Sequence, residues 1–118
     1  MFLHVVTGPG LLLHVSGADT TVIRAGIRSA LNALAQLPQL PIEIVVQGPV
    51  VLFLRGGSVL ETALADLADA SVRVLSCQNG IRSAGLDAAD LLPTVLAVPV
   101  AVAHLTARQV DGWVYIRV

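Results

Sequence analysis

Lysine is absent from this 118-residue chain, and its seven basic residues are all arginines scattered along the sequence. Together with eight acidic residues they give a formal net charge of −1. A nucleic-acid groove and a polybasic membrane anchor both need clustered positive charge, which this sequence does not provide. We therefore expect neither nucleic acid nor a membrane surface among the partners of this protein.

Cysteine is almost absent as well, since Cys77 is the only one. A single thiol cannot form an internal disulfide, and without a CxxC motif a thioredoxin-type dithiol exchange is excluded. The three histidines lack the spacing of metal ligands, and neither a GxxxxGK(S/T) or GxGxxG phosphate loop nor a GxSxG elbow occurs. Glu43, expected to face out of a strand end, and Glu61 are isolated, which argues against a paired-carboxylate site. We expect no metal and no cofactor.

Charged residues make up only 13% of the chain, whereas apolar residues make up 55%. A single domain of this size leaves roughly a third of its surface exposed, and so few charges cannot cover it. We therefore predict a homo-oligomer, in which part of the aliphatic surface becomes interface. Residues 1–10 lack the features of a secretory signal, and the longest uncharged run, residues 91–107, contains Pro93 and Pro99. These features favour a cytoplasmic protein without a membrane span.

Short apolar runs alternate with helical segments along the chain. Strands are predicted at residues 11–15, 42–46, 72–76, 94–98 and 113–118, the last at a sheet edge. Helices are predicted at residues 20–37 with Asp19 as N-cap, 50–57, 59–70 with Ser58 as cap, 79–91 as one helix or two, and 100–110. The order predicts a single α/β domain over residues 11–118, with a mostly parallel five-stranded sheet, helices on both faces and flavodoxin-like layering. Residues 1–10 are expected to form an N-terminal leader or an extra strand.

Ligands of open α/β sheets usually bind at the carboxyl ends of the strands. Turns and polar side chains that follow the predicted strands are therefore the candidate site. The candidate ligand-binding residues are His14, Gln47, Gly48, Pro49, Gln78, Asn79, Gly80 and Arg82, and the candidate catalytic residue is Cys77.

Cys77 closes the third predicted strand and precedes a predicted helix, for which Asn79 is a candidate cap. Backbone amides and the helix dipole would favour a thiolate there, with help from Arg82 if it points inward. His14 would pair with Cys77 if the first and third strands were neighbours. The other interpretation is that Cys77 is a small packed residue, as free cysteines often are, and that His14 is a hydrogen-bonded core or interface residue. His104 is expected on a helix that is packed or lies at an interface.

The ordered stretches "LLLHVSGAD", "IRSALNAL", "IEIVVQGPVV", "VRVLSCQNGIRSAGL" and "LLPTVLAVPVAVAHLTARQVDGWVYIRV" resemble the DsrE/DsrF-like sulfur-relay family. The similarity covers residues 11–118. Its most specific parts are the VVQGP turn, the cysteine that closes the third strand with asparagine two positions on, and the C-terminal pattern LxxxQxxGWxYI.

The resemblance implies a small α/β subunit that assembles into trimers or hexamers. It also implies that Cys77 matches the cysteine that, in the sulfur-handling members, carries sulfur as a persulfide between a protein donor and an acceptor. The first ten residues depart from the family pattern, and Gly80 stands where a small hydroxyl residue is expected. A lone cysteine suits a persulfide carrier, which needs no resolving thiol. The alternative hypothesis is a non-enzymatic oligomeric module that binds a small ligand or a partner, with Cys77 packed and unreactive.

Overall fold

The computed structural model describes residues 8–118, which form one α/β domain around a five-stranded, all-parallel sheet. The strands are β1 (Leu11–Ser16), β2 (Ile42–Gln47), β3 (Arg73–Cys77), β4 (Val95–Val98) and β5 (Val114–Arg117), in the order β4-β3-β2-β1-β5. The helices are α1 (Thr20–Gln36), α2 (Glu61–Asp69), α3 (Gln78–Ser83) and α4 (Ala101–Val110), with 3₁₀ helices at Pro49–Leu54 and Ala88–Asp90. The predicted fold class is confirmed, and β5 lies at an edge as expected.

Local sequence signals explain most element boundaries. The Asp19 carboxylate caps α1 by accepting a hydrogen bond from the Thr21 amide at 2.9 Å, as predicted. The predicted helix at residues 50–57 is the 3₁₀ helix at Pro49–Leu54. The region predicted as one helix or two is two, with Gly85 between them at a φ of +77°. Ser58 is not the N-cap residue itself, because α2 begins only at Glu61. Its hydroxyl still accepts a hydrogen bond from the Leu60 amide at 3.2 Å in the turn before α2, and it donates to the Phe53 carbonyl.

The direction of the connections decides which face of the sheet each helix covers. The chain moves stepwise from β1 to β4, and then crosses back over the sheet to place β5 beside β1. Because parallel crossovers are right-handed, the stepwise connections lie on one face and the returning one on the other. We call the face covered by α1, α2 and α3 the main face, and the face crossed by α4 the second face. Helices therefore lie on both faces, as predicted.

The main face carries the larger core. Leu13, Val15, Ile44, Val46 and Val74 of the strands pack there against residues from the helices. On the second face, Leu12 and Val45 of the sheet pack against Ala101 and Leu105 of α4. Among the elements of residues 8–118, the ten-residue helix α4 alone covers the second face, and the polar side chains of β1, β2 and β5 there are not fully buried.

Glu43 does not face out of a strand end, so that prediction was wrong. Its side chain is only 1% exposed on the second face, beneath α4. Its two oxygens accept hydrogen bonds from His104 at 2.7 Å, from two nitrogens of Arg108 at 3.1 and 2.8 Å, and from Arg73 at 3.1 Å. The Arg108 guanidinium also lies 4.7 Å from the centroid of the Trp113 ring. His104 is thus a packed residue of α4, which is one of the two environments predicted for it.

The expectation for residues 1–10 falls mostly on residues 1–7, which lie outside the described part of the chain. In residues 8–118, no helix is long and apolar enough to cross a bilayer.

Candidate functional site

The candidate site lies at the carboxyl edge of the sheet, where β3 and β4 end side by side. Cys77 is the last residue of β3 and pairs with Val98 of β4. After Cys77 the chain enters α3 on the main face, whereas after β4 it enters α4 on the second face. Adjacent strands whose connections leave toward opposite faces form a topological switch point, which is where α/β sheets most often bind ligands.

Cys77 itself is the N-cap of α3. Its backbone is extended, with φ −85° and ψ 148°, and its Sγ accepts a hydrogen bond from the Gly80 amide at 3.2 Å. The side chain is half-buried and packs beside the second-face cluster that contains Val45 and Ala101. Asn79 was the predicted cap, but the thiol takes that role. The Cys77 side chain is therefore partly exposed to solvent, and its sulfur accepts a hydrogen bond from one backbone N–H.

Gly80 leaves space next to this sulfur. A Cβ added at Gly80 would lie 3.2 Å from Sγ of Cys77 and 3.9 Å from Cγ2 of Val51. Such a contact with sulfur is tight, so a serine or threonine here would have to displace its neighbours. The glycine that departs from the family pattern thus keeps the surroundings of the Cys77 sulfur open.

The turn after β2 forms one wall of a cavity next to Gly80. Gly48 has a φ of +84°, and a Cβ there would lie 3.0 Å from the carbonyl oxygen of Gly17. That carbonyl accepts a hydrogen bond from the Val50 amide at 2.9 Å, so the turns after β1 and β2 are held together. The cavity measures about 450 Å³ and is lined by Gly48, Pro49, Leu52, Gly80, Ser83 and Ala84, none of them charged. Leu52, Ser83 and Ala84 were not among the predicted site residues.

The polar residues of α3 lie on its exposed side. Gln78, Asn79 and Arg82 are exposed, and Arg82 donates a hydrogen bond to the side-chain oxygen of Asn79. Gln78 and Arg82 line a separate, smaller cavity of about 270 Å³ together with Asp87. The inward orientation considered for Arg82 is therefore not observed, and the structure brings these residues together with each other rather than with the Cys77 sulfur.

His14 does not pair with Cys77, because β2 lies between β1 and β3. Its ring instead bridges two residues of neighbouring strands: Nδ1 lies 2.6 Å from the Tyr115 hydroxyl, and Nε2 lies 2.6 Å from Oε1 of Gln47. Tyr115 was not predicted as a site residue. The alternating pattern of "WVYIRV" places it on one face of an edge strand, but only the observed strand order brings it beside His14.

Metal ligands do not cluster within residues 8–118, where no group of three histidine, cysteine, aspartate or glutamate side chains could hold an ion. The chemistry available at the carboxyl edge is thus that of one thiol, one capping amide, an uncharged cavity and the His14, Gln47 and Tyr115 side chains. The thiol is the nucleophile of this set, and in the described contacts it is bonded to the Gly80 amide, whereas His14 is bonded to Tyr115 and Gln47.

Two proteins of solved structure are among those that are similar to this chain. The protein of unknown function MTH1491 from Methanobacterium thermoautotrophicum is 32% identical in sequence, with a TM-score of 0.87 over 93% of this chain and 99% of its own. The YchN protein from E. coli is 17% identical, with a TM-score of 0.76 over the same shares of the two chains, and this likeness concerns the fold. No protein-family model matches the chain, and neither does any curated protein.

Proposed function

The chain belongs to the same family as MTH1491, a protein of unknown function, and from its candidate site we propose that it carries sulfane sulfur as a persulfide on Cys77. The observation that carries this proposal is the position of the only thiol of the chain. Cys77 lies at the switch point between β3 and β4, with the Gly80 amide directed at its sulfur and an open cavity beside Gly80. The resemblance to the DsrE/DsrF-like sulfur-relay family supports the same role.

The reaction is an exchange at sulfur without net oxidation. The Cys77 thiolate attacks the outer sulfur of a donor persulfide, a bond forms between Sγ and that sulfur, and the S–S bond of the donor breaks. The donor leaves as a thiolate, and Cys77 holds a persulfide. A thiolate of the acceptor then attacks the outer sulfur of this persulfide and restores the Cys77 thiolate. One thiol is sufficient for both steps, which agrees with the single cysteine of the chain.

The contacts of the candidate site suggest a role for each of its parts. The Gly80 N–H donates to Sγ and therefore favours the anionic sulfur, because hydrogen bonds to charged groups are stronger than neutral ones. Gly48, Pro49 and Gly80 line the cavity that would receive the end of the donor. Cys77 does not line this cavity itself, but its sulfur is bonded to Gly80, which does. The donor and acceptor are proposed to be proteins, and the compartment to be the cytoplasm, where thiols stay reduced.

Intact-mass measurement tests the proposal directly. We expect the wild-type protein, after incubation with thiosulfate or with glutathione persulfide, to gain the mass of one sulfur atom, and dithiothreitol to remove it. The Cys77→Ser variant is the control and should gain nothing. A wild-type protein that takes up no sulfur from either donor, or an equal gain in Cys77→Ser, would contradict the proposal.

The binding-module alternative also has an observation in its favour, namely the uncharged cavity of about 450 Å³, a size usual for small-ligand sites. If this alternative holds, Cys77 should react slowly with iodoacetamide while small apolar compounds still shift the amide resonances of Leu52 and Ala84. The two measurements therefore separate the two functions.

A further inference from the structure

A chain of hydrogen bonds runs across three neighbouring strands toward Cys77. Tyr115 of β5 bonds to His14 of β1, and His14 bonds to Gln47 of β2, both at 2.6 Å. These strands are adjacent in the sheet, and β3 with Cys77 is the next in order. We call Tyr115, His14 and Gln47 the relay.

Hydrogen-bonding chemistry gives the relay a direction. Oε1 of Gln47 can only accept, so Nε2 of His14 carries the proton and donates to it. In a neutral imidazole the other nitrogen is then an acceptor, and Nδ1 of His14 accepts from the Tyr115 hydroxyl. Because Oε1 of Gln47 accepts from His14, the two N–H groups of the amide are on Nε2, the other terminal atom of the side chain. The relay thus fixes which end of the Gln47 amide is turned away from β1.

The strand register places this amide beside Cys77. Val46 pairs with Ser76, and Gln47 and Cys77 are the next residues of the same two strands. Gln47 lies two residues after Val45, hence on the same face, and Cys77 packs beside the cluster that contains Val45. Adjacent parallel strands are roughly 4.8 Å apart, so the two residues are backbone neighbours with side chains on the same face. In the described structure the Cys77 sulfur accepts its hydrogen bond from Gly80, and the Gln47 amide is bonded to His14.

We propose that Tyr115, acting through His14, is a positioning residue that holds the Gln47 amide with its N–H groups available to the anionic sulfur on Cys77. This inference rests on the proposed function, because the anion in question is the Cys77 thiolate or the outer sulfur of its persulfide. Amide donors stabilise such an anion, and a donor held in place needs no reorganisation when the charge forms. The relay would therefore speed sulfur uptake by Cys77.

A purely structural role would be to attach the edge strand β5 to the sheet, and a double-mutant cycle separates the two roles. Tyr115→Phe removes the hydroxyl and keeps the ring, whose centroid lies 5.6 Å from that of His14. Gln47→Met removes the amide at similar size. We expect each variant to slow the reaction of Cys77 with iodoacetamide roughly threefold or more, as for the loss of a hydrogen bond to an anion. The double variant should be no slower than Gln47→Met alone.

Nitrogen NMR of His14 gives a second readout that strand attachment would not produce. The wild-type ring should show a protonated Nε2 and an accepting Nδ1, and Tyr115→Phe should shift the Nδ1 resonance. Ile116→Val, on the opposite side of the same strand, keeps the apolar surface of β5; it is the matched control and should change neither this resonance nor the alkylation rate. Unfolding in urea confirms that the compared variants are folded.

The inference is overturned if folded Tyr115→Phe reacts at the wild-type rate, or if its effect persists unchanged in the Gln47→Met background. This outcome differs from failure of the proposed function. A wild-type protein that accepts no sulfur from any donor contradicts persulfide carriage, whereas the alkylation cycle still reports on the relay.

Discussion

At the scale of single residues, Glu43 shows how a buried charge is accommodated in this small sheet. A carboxylate that is 1% exposed would be costly on its own, but three basic side chains donate four hydrogen bonds to its two oxygens. Arg108 binds it through two nitrogens, which is the strongest arrangement available to a carboxylate. The ion pairs also connect α4 to β2, and therefore hold the helix that covers the second face.

Burial by itself raises the pKa of Glu43, but hydrogen bonds and positive charge from Arg108 and His104 outweigh it, so the pKa lies below its ordinary value of 4.5. A depressed folded-state pKa gives stability that is complete above the unfolded-state pKa and is lost as the pH falls through the folded-state value. The free energy of unfolding should therefore decrease on acidification, in the range below 4.5.

Glu43→Gln should destabilise the protein by about 1–3 kcal/mol near pH 7, because a neutral amide replaces the charge-assisted hydrogen bonds, while Arg73 and Arg108, which lose their counter-charge, are 53% and 29% exposed. It should also flatten the decrease of the unfolding free energy on acidification below pH 4.5. Urea unfolding at a series of pH values measures both effects. Glu61→Gln, on the exposed first turn of α2, is the control and should change little. A Glu43→Gln variant as stable as wild type would contradict the assigned ion pairs.

At the scale of elements, the turn after β2 connects the fold to the candidate site. Gly48 combines a positive φ with close backbone neighbours, since a Cβ would lie 3.0 Å from the Gly17 oxygen and 3.2 Å from the Gly17 nitrogen. Both neighbours are backbone atoms of another turn and cannot rotate away. The close approach holds the turns after β1 and β2 together and shapes the cavity wall at Gly48 and Pro49.

Gly48→Ala should therefore lower the free energy of unfolding by more than a positive φ alone would, and Gly57→Ala measures the effect of a positive φ. Gly57 has a similar φ of +78°, with nothing within 4 Å of an added Cβ. We expect a loss of about 1 kcal/mol for Gly57→Ala and about 2–4 kcal/mol for Gly48→Ala in urea unfolding. Equal losses would show that the approach of Gly48 to Gly17 does not matter.

Sequence patterns located these elements well because their signals are local. The strand at 42–46 and the Asp19 cap depend on residues within a few positions of each other, and the structure has both. The partners of Glu43 could not be found in this way, because they lie 30 to 65 positions away. His104 and Arg108, one helical turn apart on α4, were the available signal for an acidic partner. The contact of His14 with Tyr115 likewise depends on strand order, which long-range packing decides.

At the scale of the whole molecule, the exposed apolar side chains concentrate on the last two elements. Within residues 8–118, five of the nine large ones lie on α4 or β5: Val102, Val110, Val114, Tyr115 and Ile116. In the sheet formed by residues 8–118, β5 is also an edge strand, and the outer backbone groups of such a strand can pair with another chain unless they are covered. We propose that this surface is an interface of a homo-oligomer, a trimer or a hexamer, in agreement with the low charge content of the sequence.

Ile116→Lys should disrupt this oligomer, because it places a charge on an edge strand at a side chain that is 47% exposed in the single chain. We expect sedimentation velocity to give a wild-type mass that is a multiple of 12.3 kDa and a variant shifted to the mass of one chain. Val59→Lys changes an even more exposed valine outside α4 and β5 and should leave the assembly intact. A wild-type protein that sediments only as a single chain would contradict the interface, because the exposed aliphatic surface of α4 and β5 would then be stable in water.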